Sequence, residues 1–312
     1  MKWARRIVVV LAVLSLFGAV WEQVAQARDF ERYRAPGKLY DVGDHQLHLV
    51  CVGDGSPTIV LEASGVGNAS TYEPLQALLA KRTRVCAYDR AGMGFSERNP
   101  RALSSAELAD DLEKLLTAAK LPPPYVLAGA SVGGLTVEMF ARRHPDTTQA
   151  LVFIDAVDSQ SLEEVGSEVA AMRFEACAAA WLGRVGVLRL IDPFHLTGAA
   201  AALTYRSAPF DAACSVLRHL AQSDRELAQV APLKSDLPLL VLSHEVPKDL
   251  LPQGEQSRAF EPAWLRLQRA QAARSTRGEQ WTVAQSGHLV AQDRPGAVAQ
   301  AMFDLLDRTA AP

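Results

Sequence analysis

The chain has 312 residues and a formal charge of -3, with 32 lysines and arginines against 35 aspartates and glutamates. This balance excludes the basic surface typical of nucleic-acid binding, so we expect no nucleic-acid partner. Hydrophobic residues make up 49% of the chain and charged residues 21%, which excludes a disordered or fibrous protein. The four cysteines are too few for a disulfide scaffold, and none lies in a CxxC pair.

The N-terminal segment has the pattern of an export signal. Three basic residues lie within the first six positions, and the run 7–20 that follows carries no charge. Ala25-Gln26-Ala27 then supplies the small residues that a signal peptidase recognises, so we predict a secretory signal over 1–27, cut after Ala27. The alternative is an uncleaved membrane anchor with Trp3 and Trp21 at the two interfaces. Both interpretations export the domain, leaving it periplasmic, extracellular, or anchored to the cytoplasmic membrane and facing outward.

After a polar linker over 28–37, strand-like runs alternate with helical patterns. The predicted strands are 46–52, 58–63, 84–88, 125–129, 150–154, 237–242 and 280–284, and helices are predicted over 74–81 and 104–120. Ser105 is the predicted N-cap of the second helix. This alternation is typical of an α/β protein, with a mostly parallel sheet and helices on both faces. Between 160 and 230 no convincing strand occurs, which predicts a helical insertion over the ligand-binding edge of the sheet.

A serine lies in the pattern Gly-x-Ser-x-Gly between a predicted strand and a predicted helix. The segment reads Gly129-Ala130-Ser131-Val132-Gly133, and the helical sequence follows from Leu135. On such a sharp turn the serine backbone is strained, and side chains two residues before and after it would collide, which explains both glycines. The following helix directs its N-terminal amides toward a developing oxyanion. The pattern therefore predicts Ser131 as a nucleophile.

The chain resembles the α/β-hydrolase superfamily from about Gly37 to its C-terminus, apart from the insertion. The motifs that carry the resemblance are Leu61-Glu-Ala-Ser-Gly-Val-Gly67, Tyr88-Asp-Arg-Ala-Gly-Met-Gly-Phe-Ser96, the Ser131 turn and Ser286-Gly287-His288. The resemblance implies the α/β-hydrolase fold, with a hydrolase core over 37–159 and 232–312 and a helical cap over 160–231. One departure is Ala130, since many relatives have histidine at that position.

The same resemblance implies the base that activates the serine. A serine hydroxyl needs an imidazole to take its proton. His288 follows the last predicted strand, as the base of the superfamily does, and is the predicted base. Of the other histidines, His195 and His219 lie in the insertion as candidate substrate contacts. His244 follows a strand but stands where the superfamily places a glycine.

Four carboxylates are candidates for the triad acid. Relatives usually carry the acid shortly after the strand 237–242, but that position holds Pro247 in this chain. A variant of the superfamily places the acid after the preceding strand instead, which favours Asp155. It would fix the imidazole tautomer and stabilise the imidazolium. The alternatives that remain open are Asp158, Glu245 and Asp249.

The resemblance also implies the oxyanion hole and the disulfides. Of the two backbone amides that an oxyanion hole needs, Val132 supplies the one after the nucleophile. Val66, which follows Ser64-Gly65, supplies the second by resemblance. In this fold the strands of Cys51 and Cys86 are antiparallel neighbours, so we expect them to form a disulfide. A second disulfide is expected between the insertion cysteines, Cys177 and Cys214.

These predictions together indicate an exported serine hydrolase that cleaves a carboxylic ester or related acyl bond through an acyl-enzyme. We expect no cofactor and no metal, and a small ester-like molecule as substrate. The alternatives are a cofactor-free perhydrolase or C–C hydrolase, and a non-catalytic binding protein on a hydrolase scaffold. The insertion offers an apolar pocket and candidate carboxylate anchors, namely Trp181, Leu182, Phe194, Leu196 and Tyr205 for the first and Arg173, Arg184, Arg189 and Arg206 for the second.

Overall fold

An eight-stranded, mostly parallel sheet forms the centre of the computed structural model, which describes residues 2–158, 166–245 and 255–310. The strands are β1 (Lys38–Asp41), β2 (Gln46–Val52), β3 (Thr58–Glu62), β4 (Val85–Tyr88), β5 (Tyr125–Ala130), β6 (Thr148–Ile154), β7 (Leu239–His244) and β8 (Gly278–Val283). Their order across the sheet is β1-β2-β4-β3-β5-β6-β7-β8. Only β2 pairs antiparallel with its neighbours, β1 and β4; all pairs from β4 to β8 are parallel.

Helices cover both faces of this sheet. In chain order they are α1 (Lys2–Arg32), α2 (Glu73–Leu79), α3 (Ser105–Ala118), α4 (Gly133–Arg143), α5 (Gly166–Arg184), α6 (Val187–Ile191), α7 (Gly198–Thr204), α8 (Ser207–Arg218), α9 (Leu220–Gln229), α10 (Glu255–Ala272), α11 (Val290–Asp293) and α12 (Pro295–Ala310), with a 3-10 turn at Ala69–Tyr72. Residues of α3, α4, α9 and α10 belong to the hydrophobic core on one face. Residues of α2, α11 and α12 belong to the core on the other face. The predicted α/β-hydrolase fold class is confirmed.

The central strands are buried along their whole length because both of their faces are covered. Every residue of β3, β4, β5 and β7 is buried. Strands in parallel sheets accordingly appear as continuous hydrophobic runs, without the alternation of a half-exposed strand. Such runs make these strands predictable from the sequence. The predicted strands lie within two residues of the observed ones at each end.

Three local predictions need correction. The polar linker predicted over 28–37 is wrong in its first part, because α1 continues to Arg32. Asp29 in this part of the helix contacts Arg189 of α6. Strand β1 was not predicted; it is short and mostly exposed. The N-cap of α3 is Ser104 and not Ser105: Ser104 has extended backbone, and its Oγ accepts a bond from the amide of Glu107.

The segment between β6 and β7 contains helices and no strand among its described residues. Helices α5 to α9 fill 166–229, and α5 packs along α8, to which the disulfide Cys177–Cys214 joins it. The disulfide Cys51–Cys86 joins β2 to β4, where the two cysteines are direct register partners. Both predicted disulfides are present.

Candidate active site

The turn after β5 presents Ser131 at the carboxyl end of the sheet. Ser131 has a φ of +51°, in the left-handed region that side chains disfavour. A Cβ at Gly129 would lie 2.6 Å from the carbonyl oxygen of Gly133, and a Cβ at Gly133 would lie 2.5 Å from that of Ala63. Both glycines are therefore required for the close approach of backbone to backbone, as the motif predicts.

The structure brings Ser131, His288 and Asp155 together. Ser131 Oγ lies 3.0 Å from His288 Nε2, and His288 Nδ1 lies 2.6 Å from Asp155 Oδ2. These distances fit a hydroxyl that donates to Nε2 and an Nδ1–H that donates to the carboxylate. The imidazole of His288 is 47% exposed, whereas Asp155 is fully buried. A buried acid, an imidazole and a partly exposed serine thus lie in hydrogen-bonding order.

Four donors surround the carboxylate of Asp155. Besides His288, the imidazole Nδ1 of His244 lies 2.8 Å from Oδ2, and the backbone amide of His244 donates to Oδ1 at 3.2 Å. The indole Nε1–H of Trp264 donates to Oδ1 at 2.9 Å. Burial alone would raise the pKa of Asp155, but the bonds with His244 and His288 outweigh it and lower the pKa to about 2. Asp155 is therefore ionised at neutral pH.

The other candidate acids occupy different positions. Asp158 binds the guanidinium of Arg274, and Glu245 accepts a bond from the backbone amide of Gln285 at 3.0 Å. Asp249 lies outside the described residues. Among the three candidates that the structure describes, Asp155 is the one that contacts His288.

A buried ion pair supports the loop that carries Val66. The guanidinium of Arg90 donates to the carbonyl oxygens of Ser64 and Gly65, the latter at 2.9 Å. Its Nε lies 3.1 Å from the carboxylate of Glu62, and both side chains are buried. The guanidinium therefore fixes the two peptides that precede Val66, one of the two predicted oxyanion-hole residues.

The second predicted oxyanion-hole residue, Val132, is the N-cap of α4. Its amide is thus at the end of the helix where the macrodipole favours negative charge. Among the described residues, no group of three or more histidine, cysteine, aspartate or glutamate side chains could bind a metal ion.

Sequence reasoning missed His244 and Trp264 as partners of the acid. His244 occupies a position where the superfamily has a glycine, and Trp264 lies in α10, which contains none of the recognised motifs. The available signal was His244 itself, the last residue of β7, because β7 is the neighbour of β6 and Asp155 directly follows β6. Cross-strand adjacency of β6 and β7 could have linked them.

The cap residues proposed for a substrate pocket have mixed surroundings. Trp181 and Phe194 are exposed, and the buried Tyr205 accepts bonds at its hydroxyl from the amides of Phe194 and Leu196. Leu182 and Leu196 pack against the small core of the cap. A pocket made by these residues stays a prediction.

Three of the four predicted carboxylate anchors bind groups of the protein itself. Arg184 binds Asp211, Arg189 binds two acids of α1, and the buried Arg206 donates to the carbonyl oxygen of Gly94. Arg173 is exposed on α5 and stays a predicted anchor.

Comparison with known families identifies the fold and its chemistry class. The model of the alpha/beta hydrolase family matches residues 49–301. The chain belongs to the alpha/beta hydrolase family. An AB hydrolase superfamily protein of Gibberella zeae is 26% identical over 210 residues, which cover 62% of this chain and 64% of that protein. The chain matches only 18% to 36% of the length of the first three curated relatives, one of them an uncharacterized protein of Schizosaccharomyces pombe that is 29% identical over 192 residues.

Solved structures show the same fold over most of this alpha/beta hydrolase. A thermophilic esterase from Thermogutta terrifontis superposes with a TM-score of 0.60 and 19% identity, covering 86% of this chain and 95% of its own. The enol-lactonase from Burkholderia xenovorans has a TM-score of 0.59 and 22% identity, covering 86% and 100%. The Cif epoxide hydrolase from Acinetobacter nosocomialis has a TM-score of 0.69 and 16% identity, covering 92% and 96%. At these identities the likeness concerns the fold alone.

Proposed function

We propose that this alpha/beta hydrolase is an exported serine hydrolase that cleaves a carboxylic ester through an acyl-enzyme. The observation that carries the proposal is the hydrogen-bonded series Ser131–His288–Asp155, with contacts of 3.0 and 2.6 Å. A nucleophile, a base and an orienting acid in this order are the requirements of acyl transfer.

In the proposed reaction Ser131 Oγ attacks the carbonyl carbon of the ester while His288 Nε2 takes its proton. The amides of Val66 and Val132 stabilise the oxyanion of the tetrahedral intermediate. The bond from the carbonyl carbon to the alcohol oxygen then breaks, and the imidazolium returns the proton to the leaving alcohol. Water then attacks the carbonyl carbon of the acyl-enzyme while His288 Nε2 takes its proton. The bond from that carbon to Ser131 Oγ breaks, the proton returns to Oγ, and the carboxylic acid is released. Asp155, ionised throughout, stabilises the imidazolium that forms in both steps.

The residue at the turn separates this reaction from epoxide opening. Epoxide hydrolases of this fold use a carboxylate at the nucleophile position, whereas this chain has Ser131. Two disulfides agree with an oxidising compartment, and therefore with export.

The test is labelling of the full-length protein by a fluorophosphonate probe, together with turnover of p-nitrophenyl esters of increasing acyl length. We expect labelling and turnover in the wild type, and neither in Ser131→Ala. The matched control is Ser70→Ala, an exposed serine of the 3-10 turn. Folded wild-type protein that neither reacts with the fluorophosphonate probe nor cleaves any ester would support the binding-protein alternative instead.

A further inference from the structure

The C-terminal half of α1 packs on the cap through a buried ion pair. Glu22 is 1% exposed, and its carboxylate accepts bonds from Arg189 Nε at 2.9 Å and Nη2 at 3.1 Å. Arg189 Nη1 also lies 2.8 Å from Asp29 of the same helix. One arginine of α6 thus joins two acids that are seven positions apart on α1. Removing one partner of such a buried pair is strongly destabilising, because the other charge is left uncompensated.

Close backbone contact extends this interface along α1. A Cβ at Gly18 would lie 2.3 Å from the carbonyl oxygen of Val185, and a Cβ at Gly186 would lie 2.7 Å from the ring of Trp21. Further along, Arg206 lies 4.8 Å over the ring of Phe30. The interface therefore runs from Gly18 to Phe30, on both sides of the predicted cleavage after Ala27. Cleavage after Ala27 would remove Glu22, the buried acid that binds Arg189, and would leave Asp29 on the other side of the cut.

The part of α1 from Trp3 to Trp21 is close to the length of a membrane span. Residues 2–14 are all exposed, and α1 is long and apolar enough to cross a bilayer. Trp3 and Trp21 are separated by about 27 Å along the helix axis, close to the hydrocarbon thickness of about 30 Å. Lys2, Arg5 and Arg6 lie at the N-terminal end of this stretch, which directs the N-terminus to the cytoplasm. A helix α1 that spans the bilayer from Trp3 to Trp21 therefore brings Val185 and Gly186 of the cap, which contact Gly18 and Trp21, to the outer membrane surface.

The part of the cap beside this end of α1 exposes large apolar side chains. We define the cap apolar face as Phe174, Trp181, Leu190, Ile191 and Phe194, which are between 53% and 75% exposed. They lie on or beside α5 and α6, which contact each other, and α5 also contacts α1. Trp181 precedes Val185 by one helical turn, and Leu190 directly follows Arg189. An exposed apolar cluster of this kind marks an interaction site.

We propose that α1 is an uncleaved anchor and that the cap apolar face inserts into the outer surface of the same bilayer. Lipid is the occupant because α5 and α6, which carry this face, contact α1 from Gly18 onward, at the outer end of its membrane-spanning stretch. An aromatic and aliphatic surface next to a membrane-spanning helix fits the interfacial region, where tryptophan is enriched. The ion pair of Arg189 with Glu22 and Asp29 sets the distance of the cap from the membrane.

The test uses the full-length protein in nanodiscs whose lipids carry brominated acyl chains, which quench nearby tryptophans. Trp3 and Trp21 are replaced by phenylalanine, so that Trp181, Trp264 and Trp281 remain of the five tryptophans. We expect brominated lipid to remove roughly a third of the emission, the share of Trp181 at the interface. Adding Trp181→Phe should abolish this quenching, whereas the control Trp281→Phe should leave it unchanged.

A second pair of variants tests the contact with α1. Gly18→Leu places a side chain against the backbone of Val185 and should weaken the quenching of Trp181. Ala12→Leu, in the exposed half of the helix, should not. Intact mass should show that the membrane-bound protein retains the residues before Arg28.

Three results would overturn the proposal. They are a mature protein that begins at Arg28, quenching that does not depend on Trp181, and equal quenching in the Gly18→Leu and Ala12→Leu variants. Turnover of a water-soluble ester, measured in parallel, reports on the proposed hydrolase independently. The membrane proposal and the hydrolase proposal can therefore fail separately.

Discussion

Replacing Asp155 by asparagine tests the candidate triad at its most buried member. The four groups that contact the carboxylate are positioned as donors: the imidazoles of His288 and His244, the amide of His244 and the indole of Trp264. An asparagine of the same shape presents its own N–H donors to this shell. It therefore favours the wrong tautomer of His288, with the proton on Nε2, and that nitrogen can no longer accept the proton of Ser131.

The expected loss of activity follows from the role that the aspartate has in a triad of this geometry. A triad whose aspartate becomes asparagine loses about 10⁴-fold in kcat, which corresponds to about 5 kcal/mol of transition-state stabilisation. Stability should fall as well. The pKa of Asp155 is about 2 against an ordinary 3.8, so the ionised form adds about 2 kcal/mol to the free energy of unfolding at neutral pH. Because the pKa is lowered by folding, this contribution is present above pH 4 and is lost as pH falls through 2.

The assay is kcat and KM on a p-nitrophenyl ester at a temperature where circular dichroism shows each variant to be folded. The controls are Asp158→Asn and Glu245→Gln, which alter the other candidate acids in the described part of the chain. We expect each control to retain kcat within about tenfold of wild type. Asp155→Asn with near wild-type kcat, or a control variant that loses as much, would refute the assignment of the acid.

Three further predictions concern groups around the site and the cap. Trp264→Phe removes one donor to the Asp155 carboxylate and should lower the free energy of unfolding by about 2 kcal/mol in urea, with KM unchanged; an unaltered urea midpoint would contradict this. Burial raises the pKa of Glu62 to about 7 despite the neighbouring guanidinium, so wild-type stability should fall by up to about 3 kcal/mol between pH 4.5 and 7. Glu62→Gln should flatten that slope, measured as the difference in unfolding free energy at pH 5 and pH 8. Cys177→Ser with Cys214→Ser opens a crosslink across 37 positions and should cost about 3 to 4 kcal/mol, seen as a lower denaturant midpoint without reductant, where Cys51–Cys86 stays intact; an unchanged midpoint would contradict this.

The positions of the central strands could be predicted from the sequence because their burial leaves a direct signal. A strand covered on both faces contains a continuous apolar run, as 59–61 in β3, 125–130 in β5 and 239–242 in β7 do. The edge strand β1 has no such signal. It is four residues long and mostly exposed, and it forms because its residues pair with β2.

The end of α1 could not be predicted for a related reason. The charged residues after Ala27 resemble a polar linker when only local sequence is considered. In the structure they extend the helix, since Asp29 contacts Arg189, which lies 160 positions further along the chain. A contact over that separation has no periodicity that a local pattern could reveal.

The position of Asp155 at the ends of β6 and β7 explains why the sequence did not reveal its partner His244. Strands β6 and β7 are parallel neighbours with Ile154 opposite Leu242, and the amide of Asp155 donates to the carbonyl oxygen of Leu242 at 2.7 Å. An acid after β6 therefore lies inside the sheet, next to the last residues of β7. Burying a carboxylate there is costly unless donors surround it.

The end of β7 supplies two of those donors through the backbone and imidazole of His244. A glycine at this position would have left one side of the buried carboxylate without a side-chain partner. In this chain the acid after β6 and the histidine at the end of β7 are therefore direct partners. The depressed pKa of Asp155 is its electrostatic result, since the bonds with His244 and His288 outweigh burial.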